Sequence, residues 1–171
     1  MVIRRVCAAL VLVVALALAG CGEGAAPNTS GAGASPGAAV DLTFTVATVD
    51  GATFSGDRLR GRPAVLWFWA PWCSTCATEA PTVKTLATEY VDRATVVGVA
   101  GLGERKAMRE FVALTGIDGF PQLADAQGVV WQRLGVTAQA TFVLLDSDGV
   151  VAARGYLEPD ELKRRIDGLV G

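Results

Sequence analysis

Cys73 and Cys76 stand three residues apart in the segment Trp69-Ala70-Pro71-Trp72-Cys73-Ser74-Thr75-Cys76. Before them runs Ala64 to Ala70, continuously apolar (Ala-Val-Leu-Trp-Phe-Trp-Ala). Such a run reads as a central strand buried on both faces. After them a helix is expected from about Ser74 to Tyr90, with Ala80, Val83, Ala87 and Tyr90 at helical spacing and a kink at Pro81. A cysteine pair at a strand-to-helix junction fits an α/β layered architecture. It also has chemical consequences. A sulfur at a helix start lies near unpaired backbone N–H groups, whose partial positive charge favours thiolate over thiol. Positions i and i+3 share one helix face, so the two sulfurs can close a small disulfide and reopen it.

The rest of the chain supplies partners for that strand. Leu42 to Val49 reads as a half-exposed strand ending at the Asp50-Gly51 turn. Thr95 to Ala100 reads as a second buried strand, closed by Gly101 and Gly103. Residues 104–115 read as a helix with Met108, Phe111, Val112 and Thr115 on one face. Thr141 to Leu145 and Val150 to Ala153 flank Asp146-Ser147-Asp148-Gly149, a hairpin signal. Pro159 begins a last helix, with Leu162, Ile166 and Leu169 on its buried side. The expected fold class is α/β, a mixed sheet flanked by helices.

The N-terminus has the pattern of an export signal. Arg4 and Arg5 precede the apolar run Val6 to Ala19, which is short for a membrane span of roughly 20 residues. It ends in Leu18-Ala19-Gly20-Cys21, which looks like a bacterial lipobox in which Cys21 is lipidated. Ordinary cleavage near Ala19 and an uncleaved anchor are the alternatives. Residues 22–40 are almost all Gly, Ala, Ser, Pro, Asn and Thr, a composition that cannot bury a core. The expected organisation is a signal at 1–20, a flexible tether at 21–40 and one domain at 41–171, on the outer face of the cell membrane.

The cysteines then sort by place. Cys7 leaves with the signal and Cys21 is acylated, so Cys73 and Cys76 have no other thiol to pair with. Export makes a disulfide chemically accessible. A structural zinc site needs about four ligands, and the chain has no histidine and no second cysteine pair. A purely structural disulfide closing so short a loop stabilises weakly, which favours redox work. No cofactor is implied. Without Arg4 and Arg5, 13 Lys and Arg face 17 Asp and Glu, a net charge of −4. That balance gives no sign of nucleic-acid binding.

Several stretches together carry a family resemblance. They are Gly61-Arg62-Pro63, the Trp67–Cys76 segment, Glu79-Ala80-Pro81, Gly119-Phe120-Pro121, Gly135-Val136, and Asp146 with Asp148-Gly149. From about Val40 onward the chain resembles the thioredoxin-fold proteins of the bacterial envelope, the TlpA/ResA/DsbE group. Within that group it is most similar to exported DsbE- and DsbF-type thiol–disulfide oxidoreductases. The resemblance implies that Cys73 is the exposed nucleophile and Cys76 the buried resolving cysteine. It matches Glu79 to an acidic residue that tunes cysteine pKa values in some members, an exposed helical glutamate being the plainer reading. Trp67 stands where thioredoxins place a buried aspartate, and an indole cannot accept a proton. Trp69 is expected in the core, and Trp72 on the accessible rim.

One departure concerns the loop before Thr141. Ala140 stands where relatives carry a cis-proline facing the sulfurs. A cis bond at a non-proline residue costs roughly 3–4 kcal/mol, so Gln139–Ala140 is expected to be trans. Trp72, Gln139 and Ala140 are the candidate substrate surface. The implied partners are thiols or disulfides of exported proteins, a membrane redox partner, and the membrane itself through the lipid anchor. The leading expectation is oxidation or reshuffling of exported thiols. The alternatives are a reductase for a dedicated client such as apocytochrome c, a redox-inert binding lipoprotein, and a thiol peroxidase.

Overall fold

The computed structural model describes residues 35–171. Arg4, Arg5, Cys7, the signal at 1–20 and the lipidation candidate Cys21 lie outside those residues. In chain order the elements are β1 (Thr45–Ala47), β2 (Thr53–Ser55), β3 (Ala64–Trp69), α1 (Ser74–Glu89), β4 (Thr95–Ala100), α2 (Arg105–Thr115), β5 (Gln122–Ala124), α3 (Val129–Arg133), β6 (Thr141–Leu145), β7 (Val151–Gly155) and α4 (Pro159–Val170). A short 3-10 turn, Gly56–Leu59, precedes β3.

Five strands form one mixed sheet in the order β5-β4-β3-β6-β7. β3 sits at its centre, parallel to β4 and antiparallel to β6. All six β3 residues are buried, as the unbroken apolar run requires of a strand covered on both faces. Alternate residues feed two cores. Val65, Trp67 and Trp69 point to one with Cys76, Ala80, Val83, Met108, Phe111 and Ile166. Ala64, Leu66 and Phe68 point to the other with Leu42, Phe54, Val97, Trp131 and Leu145. The expected helix faces of α1, α2 and α4 are the faces that meet the first core.

The first strand is shorter than the alternating Leu42–Val49 pattern suggests. Leu42 and Phe44 are buried, but β1 proper pairs only with β2, Thr48 bridges Leu123, and a turn begins at Val49. β2, β5 and α3 are additions to the expected elements. β5 is three residues long and owes its strand state to pairing with β4, from Gly98↔Gln122 to Ala100↔Ala124. α3 is held by Asp125, whose carboxylate accepts from the backbone N–H groups of Val129, Val130 and Trp131 at 2.8, 2.8 and 2.9 Å. These bonds satisfy donors that a helix start otherwise leaves open.

The folded part begins before residue 41. Gly37 N–H donates to Val151 O, Val40 N–H to Gly149 O, and Val151 N–H to Ala38 O. Ala39 bridges Val150, and Val40 is buried, so the end of the expected tether is stitched along β7. This fixes where the chain enters. The 146–150 turn abuts the N-terminal end of β3, since Ala64 pairs with Leu145 and Gly61 N–H donates to Ser147 O. The cysteines follow the C-terminal end of β3. Entry and dithiol are thus separated by the length of a six-residue strand, about 20 Å.

Candidate active site

β3 runs into a tight turn, Ala70 to Trp72, and α1 starts at once. Cys73 is its N-cap, with extended backbone (φ −85°, ψ 110°). Its Sγ accepts the Cys76 backbone N–H at 3.1 Å, so the sulfur occupies the anion-favouring position expected of it. The first turn carries no acidic residue to oppose a thiolate. Cys73 and Cys76 form a disulfide, with Cα atoms 5.3 Å apart. Cys76 is fully buried, whereas Cys73 is 8% exposed. Cys73 is therefore the less buried of the two, though less exposed than its expected role suggests. The oxidised pair is packed into the core with Ala140 and Trp69.

Trp72 stands beside the pair, 62% exposed, and its indole N–H donates to Leu102 O at 2.8 Å. Leu102 is itself exposed and has a left-handed backbone (φ 53°). That link was not legible in the sequence, because a backbone carbonyl leaves no mark on residue type. Trp69 is in the core, its indole N–H donating to Gln122 Oε1 at 3.0 Å. Gln122 in turn donates to Ile117 O.

The loop before β6 overturns one expectation. The Gln139–Ala140 peptide is cis, not trans. The flanking contacts fix the loop: Thr141 pairs with Phe68 in the sheet, its hydroxyl donates to Ala138 O at 2.8 Å, and Ala140 is buried. These tertiary contacts override the preference of an isolated peptide. Gln139 is half-buried beside them. Ala140 thus joins the core that holds the dithiol from a distant part of the chain, while Trp72 adjoins Cys73 in sequence.

Glu79 lies one turn past Cys76 on α1. It is not a plain surface glutamate. Trp67 Nε1 donates to its Oε2 at 2.8 Å, and Oε1 is buried with no hydrogen-bond partner among the described residues. Burial pushes the Glu79 carboxyl above its ordinary value, the Trp67 bond opposes this, and Glu158 adds to the rise. A cavity of about 570 Å³ lies elsewhere, between the β1–β2 hairpin and the end of α2, and neither cysteine lines it.

The sequence profile of the AhpC/TSA family matches residues 38–154. The chain belongs to the AhpC/TSA family. It is 40% identical over 132 residues to the soluble secreted antigen MPT53 of Mycobacterium tuberculosis, covering 75% of each chain. It resembles the solved structure of M. tuberculosis dsbF in its mixed oxidised and reduced forms, at 48% identity and a TM-score of 0.71, over 75% of this chain and 96% of that one. It also resembles a secreted M. tuberculosis disulfide oxidoreductase described as homologous to E. coli DsbE. That match has 39% identity and a TM-score of 0.68, over 75% of this chain and 97% of that one. The expected thioredoxin-like fold is therefore the observed one. With this kinship and the Cys73–Cys76 disulfide, the chain is a thiol–disulfide oxidoreductase.

Proposed function

We propose that this enzyme works outside the cytoplasm, oxidising or reshuffling thiols of exported proteins, and that Cys21 tethers it by lipid to the outer face of the cell membrane. The observation that carries the reading is a disulfide at a helix start in which one sulfur is accessible and the other is sealed. In the oxidising direction a substrate thiolate attacks Cys73 Sγ. The Cys73–Cys76 bond breaks, a mixed disulfide forms, and Cys76 leaves as thiolate and takes up a proton. A second substrate thiolate then displaces Cys73. The substrate becomes a disulfide, and the enzyme holds the two electrons as a dithiol.

A protein substrate would meet the exposed Trp72 and the half-buried Gln139 beside Ala140. The test is recovery of native disulfides in a reduced exported protein supplied with the oxidised enzyme. Faster recovery than with buffer supports the reading, and no acceleration sinks it. Peroxide consumption, expected at background, separates it from a thiol peroxidase.

Glu79 is the proposed proton acceptor and donor for Cys76, because it is the acidic side chain on the same helix face one turn away. Its raised pKa has a stability consequence with a definite sign. A carboxyl that is harder to ionise when folded contributes stability below its ordinary pKa, and that contribution is lost as pH rises through the folded value. Glu79→Gln is therefore expected to match the wild type near pH 3.5 and to exceed it at pH 7.5. Urea midpoints at the two pH values check this, and an equal difference at both contradicts it.

A further inference from the structure

We propose that Trp67 is a positioning residue for proton transfer at the resolving cysteine, and that its indole N–H assigns the transferred proton to Oε1 of Glu79. This rests on the reading of Glu79 as the proton acceptor for Cys76. Trp67 is fully buried in β3, between Gly98 of β4 and Phe142 of β6, and shares a core with Cys76 and Ala80. Its Nε1 lies 2.8 Å from Glu79 Oε2. An indole nitrogen donates and never accepts, so Oε2 must be the accepting oxygen in either protonation state. A proton on Glu79 then favours Oε1, the buried oxygen with no partner among the described residues, because the unprotonated oxygen is the better acceptor for the indole N–H. Orphaned buried oxygens are rare and ask for a role. Here the role is to receive the Cys76 proton.

With Cys73 in a mixed disulfide, the Cys76 thiol gives its proton to Oε1. The Cys76 thiolate attacks Cys73 Sγ, the Cys73–substrate bond breaks, and the substrate thiolate departs. The enzyme is left as a disulfide, and the substrate sulfur has gained the electron pair.

Besides Cys76, the titratable groups facing Glu79 are Glu158 and Tyr156, both from the segment joining β7 to α4. Neither is a cation, so among the described residues no positive charge holds the carboxylate in place of the indole. The Trp67 bond lowers the proton affinity of Glu79, and its loss moves the onset of base form to higher pH.

The experiment uses the reduced domain and 5,5′-dithiobis(2-nitrobenzoate). Release of the first thionitrobenzoate reports attack by Cys73, and release of the second reports attack by Cys76. The measured quantity is the ratio of second to first rate across pH 5–9. Replacing Trp67 with β-(3-benzothienyl)alanine keeps the shape and removes the N–H, and Trp67→Phe is the genetic counterpart. The ratio is expected to fall about tenfold at pH 7, and its midpoint to move upward, in both variants. A merely structural tryptophan does not move that midpoint. An unchanged ratio and midpoint in the benzothienyl protein, with Glu79→Gln slowed, overturns the role of Trp67 alone. An unchanged Glu79→Gln overturns the reading of Glu79 and the proposal with it.

Discussion

Cys73→Ser is expected to abolish turnover in either direction, and Cys76→Ser to accumulate mixed disulfides with substrate. The two variants differ because the two sulfurs differ. Cys73 is the accessible one and caps α1, while Cys76 is sealed beneath it. Serine at an N-cap is among the best residues for that position, so Cys73→Ser leaves the helix start intact and removes only the nucleophile. Cys76→Ser keeps a Cys73 thiolate that still attacks a substrate disulfide, but nothing remains to resolve the product. Non-reducing gels of each variant after exposure to a disulfide substrate check both outcomes. Full activity in Cys73→Ser, or no trapped adduct in Cys76→Ser, contradicts the assignment.

Asp125→Ala is expected to cost the domain about 3 kcal/mol, or roughly 10 °C in melting temperature. Asp125 is 2% exposed and accepts three backbone N–H bonds at the start of α3. Alanine leaves those donors without their acceptor, the costly half of a broken hydrogen bond. The damage reaches the site. α3 carries Trp131, which packs edge-on against Phe68 and closely over Gly101. It leads through Leu134 and Val136, both buried, into the loop that ends at Ala140. Asp125→Asn keeps one acceptor oxygen but sets its NH2 against a backbone N–H that the other oxygen accepted, so it is expected to cost somewhat less than alanine. Thermal unfolding of the three proteins checks the order. A melting temperature for Asp125→Ala within about 2 °C of the wild type contradicts it.

Much of this architecture was legible where one level of information decides the outcome. β3 could be read because continuous apolarity over six residues admits few other fates, and β4 and β6 likewise. α1 could be read from its helical spacing and from the turn before it. β5 could not. Gln-Leu-Ala after a proline has no period of its own, and its strand state is conferred by β4. α3 was equally silent, since five residues held by a carboxylate four to six positions upstream make no amphipathic stripe.

The site divides in the same way. Cys73, Cys76 and Trp72 stand in one contiguous motif, so their association is local. Glu79 was nominated by family position, but its partner was not, because Trp67 is twelve residues away on another element. The cis bond at Gln139–Ala140 ran against local chemistry and is set by the sheet and core around it. Residues 37–40 read as tether by composition, yet backbone pairing to β7 needs no particular side chain.

A working redox couple at Cys73–Cys76 differs from a structural brace in its reduction potential, measured by equilibrating the protein in glutathione or dithiothreitol buffers. A reversible two-electron couple is expected between about −270 mV, the thioredoxin value, and about −120 mV, the value of strong oxidants, toward the upper end if the enzyme oxidises its substrates. A potential below about −300 mV, in the range of disulfides that resist the glutathione pool, makes the bond a structural brace instead.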